Sequence, residues 1–324
     1  MRFSLLGGGR WGSALAVHLG RLGHEVIVFD KSQEVVELIN KGRHPYQDMD
    51  IPKGVRATAN LEEALNFSQY LVIALPVQAI RSVLSGRELM GKKVISASKG
   101  LEISTFKRVS EVLKEIEPSV EVFILSGPSF ASEVSKGLPT ALVLAGEDEE
   151  ELRRLRGCIS SESFRVYISK DPVGVELGGA LKNVYAIACG ISDGLGFGEN
   201  ARAGLITRSL AEMVRIGTSL GAKKETFYGL SGLGDLVLTS ISKQSRNHTF
   251  GYLLGRGSTV EQAMKELNQT VEGYYTTLAL RELTSKLGIY APIAQGVYKV
   301  LYEGLSPKEC AHELLRTPPQ SEFE

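Results

Sequence analysis

A glycine triplet near the amino terminus, Gly7-x-Gly9-x-x-Gly12, limits what this chain can fold into more than any other feature. It follows Arg2 to Leu6, which reads as a short strand, and precedes Ser13 to Leu22, which reads as a helix; beyond the Gly23-His24 stop, Glu25 to Phe29 reads as a second strand. The pattern is a βαβ unit with glycines at its first turn. In that setting each glycine has a physical purpose: a tight turn, a bare backbone against a pyrophosphate, and close packing of helix on strand, with phosphate at the helix N-terminus. The expected ligand is a dinucleotide held at Gly7, Gly9 and Gly12. Arg10 and Trp11 occupy the variable positions, where their backbone amides can meet phosphate.

Further buried-strand runs follow at Tyr70 to Leu75, Lys93 to Ala97 and Val122 to Leu125, separated by helical patterns such as Leu61 to Asn66 and Ser104 to Ile116. Alternation of strand and helix implies an α/β fold with a mainly parallel, doubly wound sheet. Ligands of such sheets sit at the carboxyl ends of the strands, which puts Lys99, Gly127 and Ser129 on one rim with the glycine loop. The ribose end reads two ways. Asp30 closes the second strand where an acid would bond the 2′-hydroxyl of NAD, and Lys31 beside it suits the 2′-phosphate of NADP.

At 324 residues the chain exceeds one ordinary domain, so two are expected, and the pattern changes near Lys170-Asp171-Pro172. The expected division is 1–170, binding the dinucleotide, and 171–324, helical and carrying the substrate chemistry. The 37 basic residues balance the 37 acidic ones, so no overall field gathers nucleic acid or an anionic membrane. The three cysteines, Cys158, Cys189 and Cys310, lack disulfide or zinc spacing and read as thiols of a reducing cytoplasm. The five histidines are dispersed without metal spacing and receive no chemical role. The longest apolar stretch, Val173 to Ile191, contains Glu176, Lys182 and Asn183, which argues against a membrane span.

That stretch is the most informative helix of the second half. Leu177, Leu181, Val184, Ala188 and Ile191 form one stripe, and the other faces are also small or apolar, so the helix is expected to be buried on most sides. No carboxylate lies within helical reach of Lys182. An ammonium desolvated in this way loses pKa toward the range useful for proton transfer, marking a candidate general acid and base; the alternative is a lysine that snorkels to the surface. Asn183 could hold a substrate oxygen or a neighbouring backbone group. Downstream, the run Gly229 to Leu236 contains Asp235, a source of negative charge for Lys182, and Arg246 with Asn247 could grip a phosphate by forked, charge-assisted bonds.

Taken together, the segments GGGRWG, SASKG, SGPSFA, ELGGALKNVYAIACG, GLGDL, SRN and VEGY, in this order, resemble the bacterial type of NAD(P)-dependent glycerol-3-phosphate dehydrogenase. The resemblance implies a Rossmann domain joined to an all-helical domain. It also implies an oxidoreductase that reversibly reduces dihydroxyacetone phosphate to sn-glycerol 3-phosphate for glycerophospholipid synthesis, in the cytoplasm, with a homodimer left open as its assembly. By the family's pattern Lys182 is the proton donor and acceptor, assisted by Asp235 and Asn183. Lys99, Gly127, Ser129, Asp235, Ser245, Arg246 and Asn247 match substrate positions, and Thr239 lies near this group in the animal relatives. Arg10, Trp11, Lys31, Ala131 and Glu272 match cofactor contacts, with Lys99 and Arg246 serving both ligands.

Asp30 departs from the pattern, which has a small residue before the basic one. An acid there repels a 2′-phosphate, so the choice between NAD and NADP stays open. Two rivals remain. A dehydrogenase of the β-hydroxyacid or 6-phosphogluconate type would place an asparagine one helical turn after the lysine, where this chain has Ala186. A nucleotide-sensing regulator would keep the fold without turnover, against which Lys182, Asp235 and Arg246 stand together.

Overall fold

The structure is a computed structural model that describes residues 1–316; the end of the expected helical domain, 317–324, lies outside the described residues. The chain forms two compact units, one made of Met1–Ser98 with Val109–Pro172, the other of Lys99–Arg108 with the chain from Val173 onward. Ten residues that a linear division assigns to the first half therefore belong to the second unit.

The first unit runs β1 (Arg2–Leu6), α1 (Arg10–Arg21), β2 (Glu25–Phe29), α2 (Gln33–Asn40), β3 (Val55–Thr58), α3 (Leu61–Phe67), β4 (Tyr70–Ile73), α4 (Val77–Leu84), β5 (Lys93–Ser96), α5 (Val109–Ile116), β6 (Glu121–Ser126), α6 (Ala131–Lys136), β7 (Thr140–Ala145), α7 (Glu149–Ile159) and β8 (Phe164–Ser169). Its sheet has the order β3-β2-β1-β4-β5-β6-β7-β8. Every pair is parallel except β6 with β7. The chain builds outward from β1 to β3 and then returns to lay β4 on the other side of β1, so the strand order reverses between β1 and β4, where ligands of such sheets bind.

Both faces of the central strands are covered, which is why they read as unbroken apolar runs. Leu5, Val28, Val72 and Ile95 pack against one helical layer, and Leu6, Ile27, Leu71 and Val94 against the other. Each of these fully buried side chains contributes about 1.5–3 kcal/mol. The expected helix Ser13 to Leu22 starts earlier, at Arg10, because the Ser13 amide already bonds the Gly9 carbonyl at 2.8 Å. Gly12 is thus inside the first turn. The expected helix from Ser104 begins only at Val109; before it the chain turns back on itself through a Leu101–Arg108 bridge, with Phe106 held at φ 62°. The two edge strands, β3 and β8, lie outside the apolar runs of the sequence, because their outward residues Arg56, Arg165 and Tyr167 interrupt the apolar signal.

The second unit is helical. It contains α8 (Pro172–Gly194), α9 (Gly198–Ser219), a 3₁₀ turn (Lys224–Tyr228), a π turn (Leu230–Gly234), α10 (Asp235–Ile241), α11 (Arg246–Gly255), α12 (Val260–Leu267), α13 (Glu272–Leu287), α14 (Pro292–Tyr302) and α15 (Pro307–Arg316). α8 is the axis of this unit, buried along almost its whole length, with Leu177, Leu181, Val184 and Ile187 in the core. Glu212 of α9 caps α14 from outside, accepting the amides of Ile293 at 2.7 Å and Ala294 at 3.2 Å and the Tyr185 hydroxyl at 3.2 Å. No helix among the described residues is long and apolar enough to cross a membrane.

Candidate active site

In the first unit the glycine turn after β1 is shaped by backbone. Gly7 sits at φ +106°, a conformation that L side chains rarely adopt, and closes the turn out of β1. A Cβ at Gly12 would stand 1.8 Å from the Gly7 carbonyl oxygen, so only glycine lets α1 pack this tightly on its loop. A Cβ at Gly9 would meet nothing within 4 Å: the backbone there faces open space. The Ser32, Asn60 and Asp148 side chains cap α2, α3 and α7, whereas α1 has no side-chain cap and no acid in its first turn. Bare first-turn amides beside an open glycine fit an anionic group such as a pyrophosphate.

Asp30 lies just beyond β2, and its carboxylate is turned into this loop. It accepts the Gly8 amide at 2.8 Å and the Ser32 amide at 2.8 Å, while Lys31 is exposed. The Arg10 guanidinium lies 5.4 Å over the Tyr46 ring, and the Trp11 indole N–H is buried with no partner among the described residues. At the end of β6, Gly127 adopts φ +144° with Leu142 packed against it; the Ser129 hydroxyl donates to the Gly127 carbonyl at 3.0 Å, and Ala131 opens α6.

The second unit gathers side chains from four segments. Lys182 is 7% exposed and does not snorkel to the surface. Its ammonium donates to Asp235 Oδ1 at 2.8 Å and to Thr239 Oγ1 at 2.6 Å. The other oxygen of Asp235 accepts from Lys99 Nζ at 2.5 Å, so Lys99, expected on the sheet rim, belongs to this cluster. A local reason exists for the meeting. Gly178 lies one turn before Lys182, and a Cβ on it would stand 2.5 Å from the Ser231 carbonyl oxygen; without one, the π turn approaches the backbone of α8 and delivers Asp235.

Burial pushes the Lys182 ammonium down to about 8; Asp235 opposes that shift, and the Lys99 and Arg246 charges reinforce it. Burial pushes the Asp235 carboxyl up, but the two lysines outweigh it and hold it below its usual value. The result is an ammonium that gives up its proton around pH 8 beside a carboxylate that stays ionised.

Next to Lys182, Asn183 accepts from Asn247 Nδ2 at 3.0 Å and donates to the Lys99 carbonyl at 3.4 Å. Asn247 Oδ1 in turn accepts the Gly273 amide at 2.9 Å, at the start of α13 where Glu272 stands. Ser245 caps α11 by accepting the His248 amide at 3.2 Å, and Arg246 follows it, exposed. Lys99, Lys182, Asn183, Asp235, Thr239 and Asn247 are therefore linked by hydrogen bonds within one unit. A mostly apolar cavity of about 640 Å³ lies elsewhere in the same unit, lined by residues such as Leu195, Phe197 and Leu205, and none of the linked side chains is in its wall.

One pair escapes sequence reasoning. His248 Nε2 bonds Asp193 Oδ2 at 2.7 Å, both side chains nearly buried. The signal was an acid at the end of an apolar helix and a histidine in the first turn of another, 55 residues apart.

The same two regions match known proteins. Residues 2–152 fit the model of the NAD-dependent glycerol-3-phosphate dehydrogenase N-terminus, and residues 171–312 that of its C-terminus. The chain is 43% identical over 328 residues to a glycerol-3-phosphate dehydrogenase (NAD(P)+) of Thermoanaerobacter sp. (strain X514), covering 100% of this chain and 99% of that one. It is 42% identical over 331 residues to the enzyme of the same name from Carboxydothermus hydrogenoformans, covering 100% and 98%. The crystal structure of glycerol-3-phosphate dehydrogenase from Coxiella burnetii matches with a TM-score of 0.93 at 36% identity, covering 97% of this chain and 98% of that one. The two family models between them cover both halves of the chain, which belongs to the NAD-dependent glycerol-3-phosphate dehydrogenase family.

Proposed function

We propose that the chain catalyses the reversible reduction of dihydroxyacetone phosphate to sn-glycerol 3-phosphate with NAD(P)H. The observation that carries this reading is the buried Lys182, held by Asp235 and Thr239 with its pKa brought to about 8. NAD(P)H, when bound, supplies the hydride to C2 of the ketone. Lys182 supplies the proton. Its ammonium has three N–H donors, of which Asp235 and Thr239 take two, leaving the third for the substrate's C2 oxygen. The positive charge also stabilises the alkoxide as it develops, and the neutral lysine takes the proton back in the oxidation direction.

Asp235 keeps the lysine charged and aimed, and Asn183 holds the neighbouring backbone and Asn247 in place. Arg246, Asn247 and Ser245, at the start of α11, grip the substrate phosphate, with Lys99, Gly127 and Ser129 completing the substrate contacts. Binding energy at the phosphate orients a carbonyl several atoms away. Gly7, Gly9, Arg10, Trp11, Gly12, Asp30, Lys31 and Ala131 hold the cofactor, with Glu272, Arg246 and Lys99 contributing. The Asp30 carboxylate, pinned by two amides, favours the NAD ribose, and Lys31 favours a 2′-phosphate.

The product feeds glycerophospholipid synthesis, and the three free thiols support a cytoplasmic location. A homodimer fits this reading; light scattering of the purified chain decides it. The central experiment follows cofactor absorbance with dihydroxyacetone phosphate, using NADH and NADPH in parallel. Turnover with at least one cofactor is expected, whereas cofactor binding without turnover would leave a nucleotide sensor in its place.

A further inference from the structure

The helix that begins with Arg246 lies directly on the helix that carries Lys182. A Cβ at Gly190 of α8 would stand 2.1 Å from the His248 carbonyl oxygen, and one at Gly251 of α11 would stand 2.1 Å from the Ile187 carbonyl oxygen. One turn on, Gly194 and Gly255 meet in the same way, with a Cβ on either falling 2.9 Å from the other's Cα. Such a seam sets how closely the helices approach. The seam offers the first turn of α11 no apolar anchor: Phe250 and Leu254 seat the later turns in the helical core, whereas the buried residues of the first turn are Asn247 and His248.

Directional bonds supply what the seam lacks. Asn247 bonds Asn183 on α8 at 3.0 Å, and the next residue, His248, bonds Asp193 at the far end of α8 at 2.7 Å. Successive residues of a helix point about 100° apart. Two anchored neighbours therefore fix the rotation of the first turn, which Arg246 opens. Asp193 is itself held: its second oxygen accepts Arg202 Nε at 2.9 Å, and Arg202 Nη1 reaches Glu199 at 3.0 Å. His248 also donates its backbone amide to the Ser245 cap at 3.2 Å, so one residue ties the cap, the first turn and α8 together.

We propose that Asp193 and His248 are positioning residues for substrate phosphate, clamping the start of α11 so that Arg246 and Asn247 present their donors in a fixed orientation relative to Lys182. The proposal rests on the reading of Arg246 and Asn247 as the phosphate grip. The side chains of Asp193 and His248 bond each other and Arg202, not Lys182, Asp235 or the glycine loop. Loss of the clamp should therefore weaken recognition of the phosphate and spare proton and hydride transfer.

The test compares dihydroxyacetone phosphate with dihydroxyacetone, the same ketone without its phosphate, in the full chain carrying Asp193→Asn, His248→Ala or His248→Gln, with Arg246→Ala as the benchmark. We expect Asp193→Asn and His248→Ala to raise KM for dihydroxyacetone phosphate about tenfold or more. With cofactor saturating for every variant, including Arg246→Ala, kcat should stay within about threefold in both clamp variants, and kcat/KM for dihydroxyacetone within about twofold. His248→Gln, whose side-chain amide can still donate to Asp193, should recover most of the loss. The near-isosteric Asp193→Asn and His248→Gln keep the test available if His248→Ala does not fold. Equal losses with both substrates, or an unchanged KM, would overturn the clamp. If Arg246→Ala discriminates between the substrates and the clamp variants do not, the phosphate grip stands and the clamp falls; if Arg246→Ala affects both substrates alike, the phosphate grip falls and the clamp with it.

Discussion

In the first unit, the features suited to a ligand are main-chain ones: the turn at Gly7, the open backbone at Gly9, the bare amides opening α1. In the second unit they are side chains, Lys99, Lys182, Asn183, Asp235, Thr239 and Asn247, each held by another. The two kinds of site are specified differently. A backbone site is encoded by what is missing over six consecutive residues, since glycine leaves room and amides at a helix start need no particular side chain. A side-chain site depends on distant segments arriving together: Asp235 meets Lys182 across 53 positions and Lys99 across 136. It can tune a proton, which a backbone cradle cannot.

The sharpest way to separate the two is Lys182→Met. Ketone reduction should fall by about 10²–10⁴, the usual contribution of general acid–base catalysis, while NAD(P)H affinity measured by fluorescence titration stays nearly constant. A mutant with near-normal turnover would end the division of labour. The next effect is a pH dependence. Because burial brings the Lys182 ammonium to about 8, its proposed role as proton donor predicts that kcat/KM for reduction is flat below that pH and falls about tenfold per unit above it. The same role makes the neutral amine the acceptor in oxidation, which should rise through the same range; parallel profiles in the two directions would assign the titration elsewhere.

On the backbone side, Gly9→Ala should weaken cofactor binding about tenfold while leaving the melting temperature unchanged, because a methyl there meets nothing within 4 Å in the protein itself. An unaltered Kd would show that the open space at Gly9 is not where phosphate lies. The smallest effect is expected from Asp30→Gly, which removes a carboxylate and frees the Gly8 amide. The NADPH-to-NADH ratio of kcat/KM should rise several-fold, and an unchanged ratio would show that Asp30 serves only to brace the loop.

The same contrast explains what could be read in advance. β1, β2 and the glycine turn are local patterns, and they stand where the residues put them. α8 announced itself by length and apolarity, and Asp235 as the partner of Lys182 followed from the need to compensate a buried charge. The segment 99–108 did not, because its fold back through Leu101 and Arg108 depends on tertiary partners: Arg108 is bonded to Glu176 at 3.1 Å, and Lys286 lies 4.3 Å over the Phe106 ring. β3 and β8 are short edge strands whose outward charges hide the apolar alternation. Thr239 entered only by family likeness, and His248 looked idle because nothing near it in the chain shows that Asp193 waits at the end of α8.

The chain leaves the first unit at Ser98, spends ten residues in the second, and returns at Val109 before leaving again at Pro172. Neither unit can therefore be excised at a single cut. A fragment ending at Pro172 would carry Leu101, a fully buried residue of the helical core, as an exposed apolar loop, while a fragment starting at Val173 would lose both that plug and the Lys99 ammonium from its carboxylate. A gene for this enzyme does not divide into interchangeable modules at its apparent seam. Grafting its helical unit onto another dinucleotide-binding unit would require splicing at three places and carrying the short loop along.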